Sequence, residues 1–164
     1  QISIYDKNIK MPHMVGRKYC GKAMLTEHVS VQVDNKVLDD YSTGCEKLVI
    51  EFVKQLTCSS WQISVTRSGY QNDENVGGIA KRAQDGTFTL TYMKQVNVKT
   101  DVLEKDISVT AYLYGKFVDE KCKILNLSSE LSVSIEVEAE NEGVETDVEA
   151  YVTQLAEYNL KRIC

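Results

Sequence analysis

The cysteines and histidines are the side chains of this sequence best suited to chemistry, and their spacing restricts what that chemistry can be. The 164 residues include five cysteines and two histidines. No two cysteines are spaced C-x-x-C, and His13 and His28 accompany no cysteine or serine motif. The spacing therefore predicts no metal site, no cofactor and no catalytic residue, and the cysteines are interpreted as structural. They are Cys20, Cys45, Cys58, Cys122 and Cys164.

Structural cysteines are compatible with two kinds of compartment. In the cytosol all five would remain thiols, whereas in a secretory compartment they would form two disulfides with one cysteine left over. We favour the secretory alternative because Cys164 is the last residue, where a free thiol would be exposed. Asn126 also begins an Asn-Leu-Ser sequon and is a candidate glycosylation site. The sequence thus predicts a secreted or luminal glycoprotein with disulfide bonds.

The segment between Cys45 and Cys58 decides whether these two cysteines can bond to each other. Thr43 and Glu46 fit a capping box. The apolar residues that follow recur at helical spacing and are Leu48, Val49, Phe52, Val53 and Leu56. This pattern predicts a helix over residues 44–57, which would hold the two cysteines about 20 Å apart at ~1.5 Å rise per residue. A disulfide needs Cα atoms within about 7 Å, so this pairing is excluded.

The simplest disulfide scheme contains two bonds between cysteines that are distant in the sequence. It joins Cys20 to Cys58, or to Cys45, and it joins Cys122 to Cys164. Each bond would close a loop of roughly forty residues, which contributes about 4 kcal/mol in the chain-entropy model. The cysteine left over is most simply Cys45, as a buried thiol or, alternatively, in a bond to a partner chain.

Most of the remaining sequence alternates between apolar and polar residues. Such a period of two is typical of antiparallel strands with one buried face and one wet face. The segments that show it are 28–33, 61–65, 87–98, 107–117 and 131–138. Long polar stretches and an Asp-Gly step separate some of them, as expected for loops and turns.

The C-terminal region departs from this alternation. Thr146 and Glu149 fit a second capping box, and Val148, Tyr151 and Leu155 recur at helical spacing. These features predict a helix over residues 146–162, although a pair of short strands around Tyr151 is the alternative. The expected fold is a β-rich α+β domain over residues 1–164. It would contain an antiparallel sheet or sandwich of at least five strands, with helices near 44–57 and 146–162 and two disulfide staples.

Charge and hydropathy exclude some partners. The net charge is -5, which argues against nucleic acid and anionic membranes. No apolar run approaches the roughly 20 residues that span a bilayer, so no membrane insertion is expected within this span. Alternating Glu136, Glu138 and Glu140 begin an acidic run that fits the wet face of a strand. The alternatives for this run are a calcium site, whose usual Asn, Asp and Gly spacing is absent, and a docking patch for a basic partner.

The cysteine pairs suggest a family. Cys20 with Cys58 and Cys122 with Cys164, in a β-rich chain of this length, resemble the luminal domain of the lysosome-associated membrane glycoproteins. The segments WQISVTRSGY and GTFTLTYMKQVNV resemble the strand order of that family between its two pairs. Residues 118–121 lack the serine-tyrosine approach to the third cysteine of the family, and Cys45 has no counterpart. The resemblance implies a β-prism with two disulfides per domain.

The function expected from these features is binding rather than catalysis. We expect a non-enzymatic extracellular or luminal module, a protein-recognition ectodomain with a protein partner. The alternative is a secreted carrier that holds a small apolar ligand in a pocket between sheet and helix. Residues that would line such a pocket are Phe52, Tyr92, Tyr112 and Tyr114. No cluster of titratable residues indicates an enzyme.

Overall fold

In the computed structural model the chain forms eight antiparallel strands that close into a barrel. The structure describes residues 11–33, 35–71, 73–99, 104–141 and 144–163, and the side chains of these except those of 137–147. Neighbours in sequence are neighbours around the ring, and the last strand pairs with the first. The strands are β1 (Lys18–Val33), β2 (Lys36–Thr57), β3 (Ser60–Ser68), β4 (Glu74–Arg82), β5 (Phe88–Lys99), β6 (Glu104–Phe117), β7 (Ile124–Asn141) and β8 (Val144–Ile163).

Alternating side chains explain why the wall has two distinct faces. Successive side chains of a strand point to opposite faces. In β5, Phe88, Leu90 and Val96 are fully buried inside the barrel, whereas Thr91 and Asn97 lie on the outer row. An eight-stranded barrel encloses a space that side chains can just fill, so the inward row becomes the hydrophobic core.

The helix predicted over residues 44–57 is wrong, because this segment lies in β2 and pairs with both β1 and β3. Leu48, Ile50 and Phe52 are fully buried at a period of two. Val53 and Leu56, which the helical stripe requires on the same buried face, are exposed. The sequence of this segment fits both a helical period and a period of two. Because strands pair with both of its edges, the segment adopts the period of two.

The helix predicted over residues 146–162 is wrong for the same reason. The segment lies in β8, which pairs with β7 and β1. Val152, Ala156 and Leu160 are buried, whereas Tyr151 and Leu155 are exposed. The described residues are all-β, so the predicted α+β sheet or sandwich is wrong. Nowhere in the described ranges does a helix have the length and hydropathy to cross a membrane.

The predicted disulfides also fail. Cys20, Cys45, Cys58 and Cys122 are free thiols, and Cys164 lies outside the described residues. Cys20 lies opposite Val49, which is nine residues from Cys58 and four from Cys45. At ~3.3 Å per residue, these separations are about 30 Å and about 13 Å, beyond the reach of a disulfide. The disulfide-stapled architecture is therefore wrong, although Cys45 and Cys58 are indeed not bonded to each other.

Three groups of side chains mark successive heights inside the barrel, and buried aliphatic residues such as Leu48, Ile50 and Leu90 lie between the first two groups. The lowest, the aromatic base, packs its rings with neighbouring centroids 5.3 to 6.3 Å apart, mostly edge to face. Its members are Tyr19, Phe52, Trp61, Phe88 and Phe117. Above it lies the polar layer, formed by Glu27, Glu46, Arg67, Glu74, Lys94 and Gln154. The valine layer completes the interior with Val29, Val31, Val33, Val96, Val98, Val148, Ala150 and Val152.

Only the lower part of the barrel is a continuous ring. β4 pairs with β5 only over residues 78–82, and β3 and β4 are nine residues each. β6 pairs with β7 only where 113–117 face 125–129. Above these short ladders the wall therefore has two gaps. One separates β2 from β5 above the β3–β4 loop, and the other, the β6–β7 seam, separates residues 104–112 of β6 from residues 130–141 of β7.

A glycine permits the ladder that closes the ring below the seam. Gly115 lies opposite Leu127 in the middle of this ladder. A Cβ atom at Gly115 would lie 1.6 Å from the carbonyl oxygen of Asn126, a distance that no side chain can adopt. Only glycine allows the two backbones to approach so closely here.

Candidate functional site

The polar layer is built around an ion pair enclosed by the barrel. Glu46 of β2 and Arg67 of β3 are buried, and Arg67 Nη1 donates a hydrogen bond to Glu46 Oε1 at 2.6 Å. Arg67 Nη2 donates to Glu74 of β4, and the hydroxyl of Tyr158 donates to Glu46 Oε2. Four strands thus share one hydrogen-bonded group. Such pairing is what allows charged groups to remain buried, because it offsets the cost of removing them from water.

Lys94 of β5 brings a second cation to the same carboxylate. Its Nζ atom lies 3.7 Å from Glu46 Oε2, and the side chain is buried. Burial lowers the pKa of Lys94 to about 8, a shift that the attraction of Glu46 reduces. Burial, reinforced by the Glu46 carboxylate, raises the pKa of Tyr92 and Tyr158 well above the ordinary range. Lys94 therefore changes its charge in the mildly alkaline range, whereas the two tyrosines remain protonated there.

A second hydrogen-bonded group lies beside the first. The buried amide of Gln154 donates from Nε2 to Glu27 Oε2 at 2.5 Å. Gln71, in the β3–β4 loop, donates to the same oxygen at 3.2 Å. Most polar atoms of the two groups thus find partners within the layer, whereas Arg67 Nε and Gln154 Oε1 are buried without a hydrogen-bond partner among the described residues. No cluster of three or more potential metal ligands occurs among the residues described, so mutual neutralisation is the chemistry that this arrangement supports.

Side chains close the gap between β2 and β5, which we call the capped gap. Above Tyr92 the backbone of β5 has no β4 partner. Glu74 Oε2 accepts a hydrogen bond from the Gln95 amide at 3.3 Å, and Arg67 donates to the Gln95 carbonyl at 3.3 Å. The Gln71 side chain forms two such bonds to Asn97, accepting from its amide at 3.2 Å and donating to its carbonyl at 3.3 Å. Three side chains thus replace the missing strand.

The β6–β7 seam has no comparable cover within the described part of the chain. Residues 104–112 of β6 pair with β5 on one side only, and residues 130–141 of β7 pair with β8 on one side only. No described side chain forms a hydrogen bond to the backbone of residues 105–112 or 130–136. Among the described residues, two strand edges without partners for their backbone donors and acceptors therefore face the same gap.

The floor and the rim of the seam differ in polarity. The floor consists of half-buried apolar side chains that pack on the hydrophobic core, namely Ile107, Val109, Val133 and Ile135. The rim carries exposed carboxylates on both strands, namely Glu104, Asp106, Glu130 and Glu136. Lys105 is an exposed basic residue on the β6 side. The seam therefore presents an apolar interior bordered by net negative charge.

The four residues proposed from the sequence to line a pocket do not meet. Phe52 and Tyr92 point into the barrel and are buried, Phe52 in the aromatic base. Tyr112 and Tyr114 project from the outer wall, 42% and 48% exposed, with their rings stacked at 6.2 Å. The barrel wall separates the two pairs, so the four residues do not share a cavity.

The candidate glycosylation residue lies on the outer wall. Asn126 of β7 is exposed and accepts a hydrogen bond from Asn159 of β8 at 2.5 Å. It borders an open groove of about 630 Å³ together with Tyr114 and Lys116. Glycosylation of Asn126 stays a prediction.

The polar layer was not predicted from the sequence, although the alternating rows of two strands contain a signal for it. Lys94 occupies the same alternating row as Leu90 and Val96, and Arg67 follows the row of Ile63 and Val65. A charged residue within an apolar row indicates a buried ionic group, and its partners must be found on other strands.

Comparison with known proteins assigns no family to the chain. No protein-family model matches it, and no curated protein matches it. A crystal structure of Ail, the attachment invasion locus protein of Yersinia pestis, in complex with the heparin analogue sucrose octasulfate, is similar over 89% of this chain and 99% of that chain, with 12% identity and a TM-score of 0.42. Another crystal structure of Ail covers 90% of this chain and 99% of that chain, with 10% identity and a TM-score of 0.35.

These findings correct the expected identity and compartment. The resemblance to lysosome-associated membrane glycoproteins is wrong, since no family model matches, the described strands close into a barrel, and the described cysteines form no disulfide. The secreted or luminal location and the ectodomain function rested on disulfides, which the described cysteines do not form, and both are wrong. The secreted carrier is also wrong, because no helix forms among the described residues and the proposed lining residues do not converge.

Proposed function

We propose that the chain is a non-enzymatic protein-binding barrel whose β6–β7 seam takes up an extended segment of a partner protein as an added strand. The observation that carries this proposal is the pair of unpaired strand edges facing each other across one gap. Backbone hydrogen bonds to such an edge provide affinity, and alternate side chains of the added strand provide specificity.

The floor of the seam suits such a segment. Val109 and Val133 would lie opposite each other if the β6–β7 ladder continued beyond Leu113 and Ser129 in the same register. They are half-buried and pack on the core. A strand placed between β6 and β7 would point every second side chain toward this floor, so apolar residues at those positions would bury additional apolar surface.

The outer face of the barrel is polar along β3 and along most of β7. The inner face is mostly apolar, apart from the polar layer. The outer rows of β3 over residues 62–68 and of β7 over residues 126–136 carry no apolar side chain, whereas Ile124, Met24 and Leu155 bring apolar groups to the outer face elsewhere. An added strand next to β7 would therefore place its outer side chains beside polar neighbours. The outer residues of these two ranges are Gln62, Ser64, Thr66, Ser68, Asn126, Ser128, Glu130, Ser132, Ser134 and Glu136.

The pairing inside the polar layer supports the absence of catalysis. Glu46, Arg67 and Lys94 are buried and interact with one another. A catalytic acid, base or nucleophile needs access to a substrate, which groups in such an enclosed layer lack.

Peptide binding tests the proposal. The probe is a fluorescent peptide of alternating Val and Thr, about nine residues long to match residues 104–112. We expect saturable binding in fluorescence anisotropy and slower amide hydrogen exchange at residues 105–112 and 130–136. A peptide with proline in place of each Thr has fewer backbone donors and should not bind. No saturable binding up to ~1 mM, the weakest affinity of interest, by this peptide or by peptides with charged residues in place of Thr would overturn the proposal.

A pair of variants locates the binding site. Val133→Asp places a charge on the floor of the seam, whereas Ser132→Asp places the same charge on the neighbouring outer position. We expect Val133→Asp to abolish binding and Ser132→Asp to preserve it, with both thermal midpoints measured to confirm folding. Equal effects of the two variants would contradict the assignment of the site to the seam. Analytical ultracentrifugation identifies a second copy of the chain as the occupant if the protein dimerises and the peptide dissociates the dimer.

A further inference from the structure

We infer that the segment bound at the seam alternates β-branched apolar residues with lysine or arginine. This inference rests on the proposed strand addition and specifies the chemistry of the partner. An added strand would contact two rows of side chains at the same time, one on each face of the barrel wall.

The inner row selects the apolar half of the pattern. Ile107 and Val109 of β6 and Val133 and Ile135 of β7 are half-buried against the core. β-Branched and aromatic residues pair well across strands, so such residues stabilise a strand placed beside them. A Val or Ile of the partner at each inward position would contact both strands, because the added strand would lie between them.

The outer row selects the basic half of the pattern. Glu104 and Asp106 of β6 and Glu130 and Glu136 of β7 are exposed on the rim of the seam, and Lys105 is the one exposed basic side chain in the described stretches 104–112 and 130–136. Like charges directly opposite each other on neighbouring strands are destabilising, whereas opposite charges attract. A partner strand with outward acidic residues would therefore be repelled, and one with outward lysines or arginines would be attracted.

The charge of the rim also explains how an open seam avoids pairing with another copy of itself. Carboxylates on an edge strand discourage edge-to-edge association of identical chains. In a contact between two seams, the Glu130 and Glu136 rows of both copies would come together. The same charges that exclude a second copy favour a partner of the opposite sign.

Three peptides of equal length test the inference separately from the proposed function. They alternate Val with Lys, Val with Thr, and Val with Glu, and each is titrated with the full chain in fluorescence anisotropy. We expect the Val-Lys peptide to bind roughly ten-fold more tightly than the Val-Thr peptide at low salt, and the Val-Glu peptide to bind most weakly. The advantage of the Val-Lys peptide should decrease at ~1 M salt, where the Debye length is about 3 Å.

Matched double variants assign the charge effect to the rim. Glu130→Gln/Glu136→Gln removes two rim carboxylates and should reduce the Val-Lys preference roughly three- to ten-fold. Asp40→Asn/Glu120→Gln makes the same change in net charge away from the seam and should leave the preference intact. Equal binding of the Val-Lys and Val-Thr peptides, or equal effects of the two double variants, would overturn the inference while leaving strand addition in place. Failure of all three peptides to bind would overturn the proposed function itself.

Discussion

The two gaps in the upper barrel expose the same kind of backbone group but are completed in different ways. At the capped gap, side chains of Arg67, Gln71 and Glu74 occupy the hydrogen-bonding positions of β5 at Gln95 and Asn97. At the β6–β7 seam, the described side chains leave the backbone edges of both strands free. The capped gap is satisfied within the chain, whereas the seam can be satisfied by another chain.

This difference shows which opening is a structural necessity and which is available for binding. The capped gap arises because β3 and β4 are short, and the polar layer extends into it through Arg67 and Glu74. An exposed strand edge is an aggregation hazard, so a capped edge is the expected outcome where no partner binds. The uncapped edges of the seam, with an acidic rim, are the exception on which the proposed function depends.

The largest expected effect comes from removing the cation that links the polar layer to the capped gap. Arg67→Met leaves Glu46 buried without its main partner and removes the donor to the Gln95 carbonyl. Breaking a buried ion pair in this way costs about 3–5 kcal/mol, measured as the free energy of unfolding in urea. Arg82→Met, at a partly exposed position at the end of β4, is the control and should cost less than about 1 kcal/mol. If the free energy of unfolding fell no more in Arg67→Met than in Arg82→Met, the ion pair between Arg67 and Glu46 would not stabilise the barrel.

The next effect concerns the ladder that closes the ring below the seam. Gly115→Ala places a methyl group where the Asn126 carbonyl lies, so the β6–β7 ladder must shift, at a cost of about 3 kcal/mol. Gly77→Ala is the matched control, because the nearest atom to its Cβ would be 4.0 Å away. Hydrogen exchange should accelerate in residues 113–117 of Gly115→Ala alone. Similar unfolding free energies for the two variants would contradict the role of Gly115 in ring closure.

The strands with polar outer faces could be predicted from the sequence, because their signal is local. The alternating segments at 28–33, 61–65, 107–117 and 131–138 lie inside β1, β3, β6 and β7. Each places apolar residues at a period of two, mostly with Ser, Thr, Gln or Glu between them, although Tyr112 and Tyr114 take such positions in 107–117. Closure into a ring could not be predicted in this way, since it depends on the tilt and stagger of all eight strands together.

β2 and β8 were mispredicted because each carries two periodicities. In β2, the helical stripe included Val53, which is exposed, and omitted Ile50, which is fully buried. The predicted helix used Glu46 in a capping box, whereas the strand places it in the polar layer. The error in secondary structure thus hid the central carboxylate of the site. Barrel pairing on both edges of β2 and β8 is a non-local effect that overrides local propensity.

The two parts of the site differ in how far sequence could predict them. Lys94 stands in the apolar row of β5, so its burial follows from the alternation alone. Its partner Glu46 lies forty-eight positions away and required the fold. The seam required more, because the ladder of residues 113–117 with 125–129 ends at a point that no local pattern marks. The disulfide prediction failed for a similar reason, since spacing along the chain does not report distance across a barrel.

The free energy of unfolding should depend on pH through Lys94, which lies in the polar layer beneath the two gaps. The pKa of Lys94 falls from 10.5 in the unfolded chain to about 8 in the barrel. Between these values the unfolded chain holds a proton that the folded chain has released, so the stability contributed by this site rises with pH. Between pH 7 and pH 10, the free energy of unfolding of wild type should therefore rise by roughly 2 kcal/mol relative to that of Lys94→Met. Comparison with the variant cancels the tyrosine titrations, which oppose the trend above pH 10.

The control for this pH dependence is Lys116→Met, an exposed position on β6. Its unfolding free energy should differ from that of wild type by a constant amount across the same range. A constant difference for Lys94→Met as well would contradict a charge change of Lys94 near pH 8.

The smallest expected effect concerns the hydrogen bonds by which Gln71 covers the capped gap. Gln71→Ala removes the amide that bonds to both backbone groups of Asn97 and to Glu27. The free energy of unfolding should fall by about 1 kcal/mol, the usual net contribution of such hydrogen bonds. Amide exchange should accelerate at Asn97, whereas Gln62→Ala, at an exposed outer position of β3, should change neither quantity. The variant would also convert the capped gap into a second open edge, so the Val-Thr peptide should gain a weak additional site. If Asn97 remains as protected as in wild type, the Gln71 side chain is not what distinguishes the capped gap from the seam.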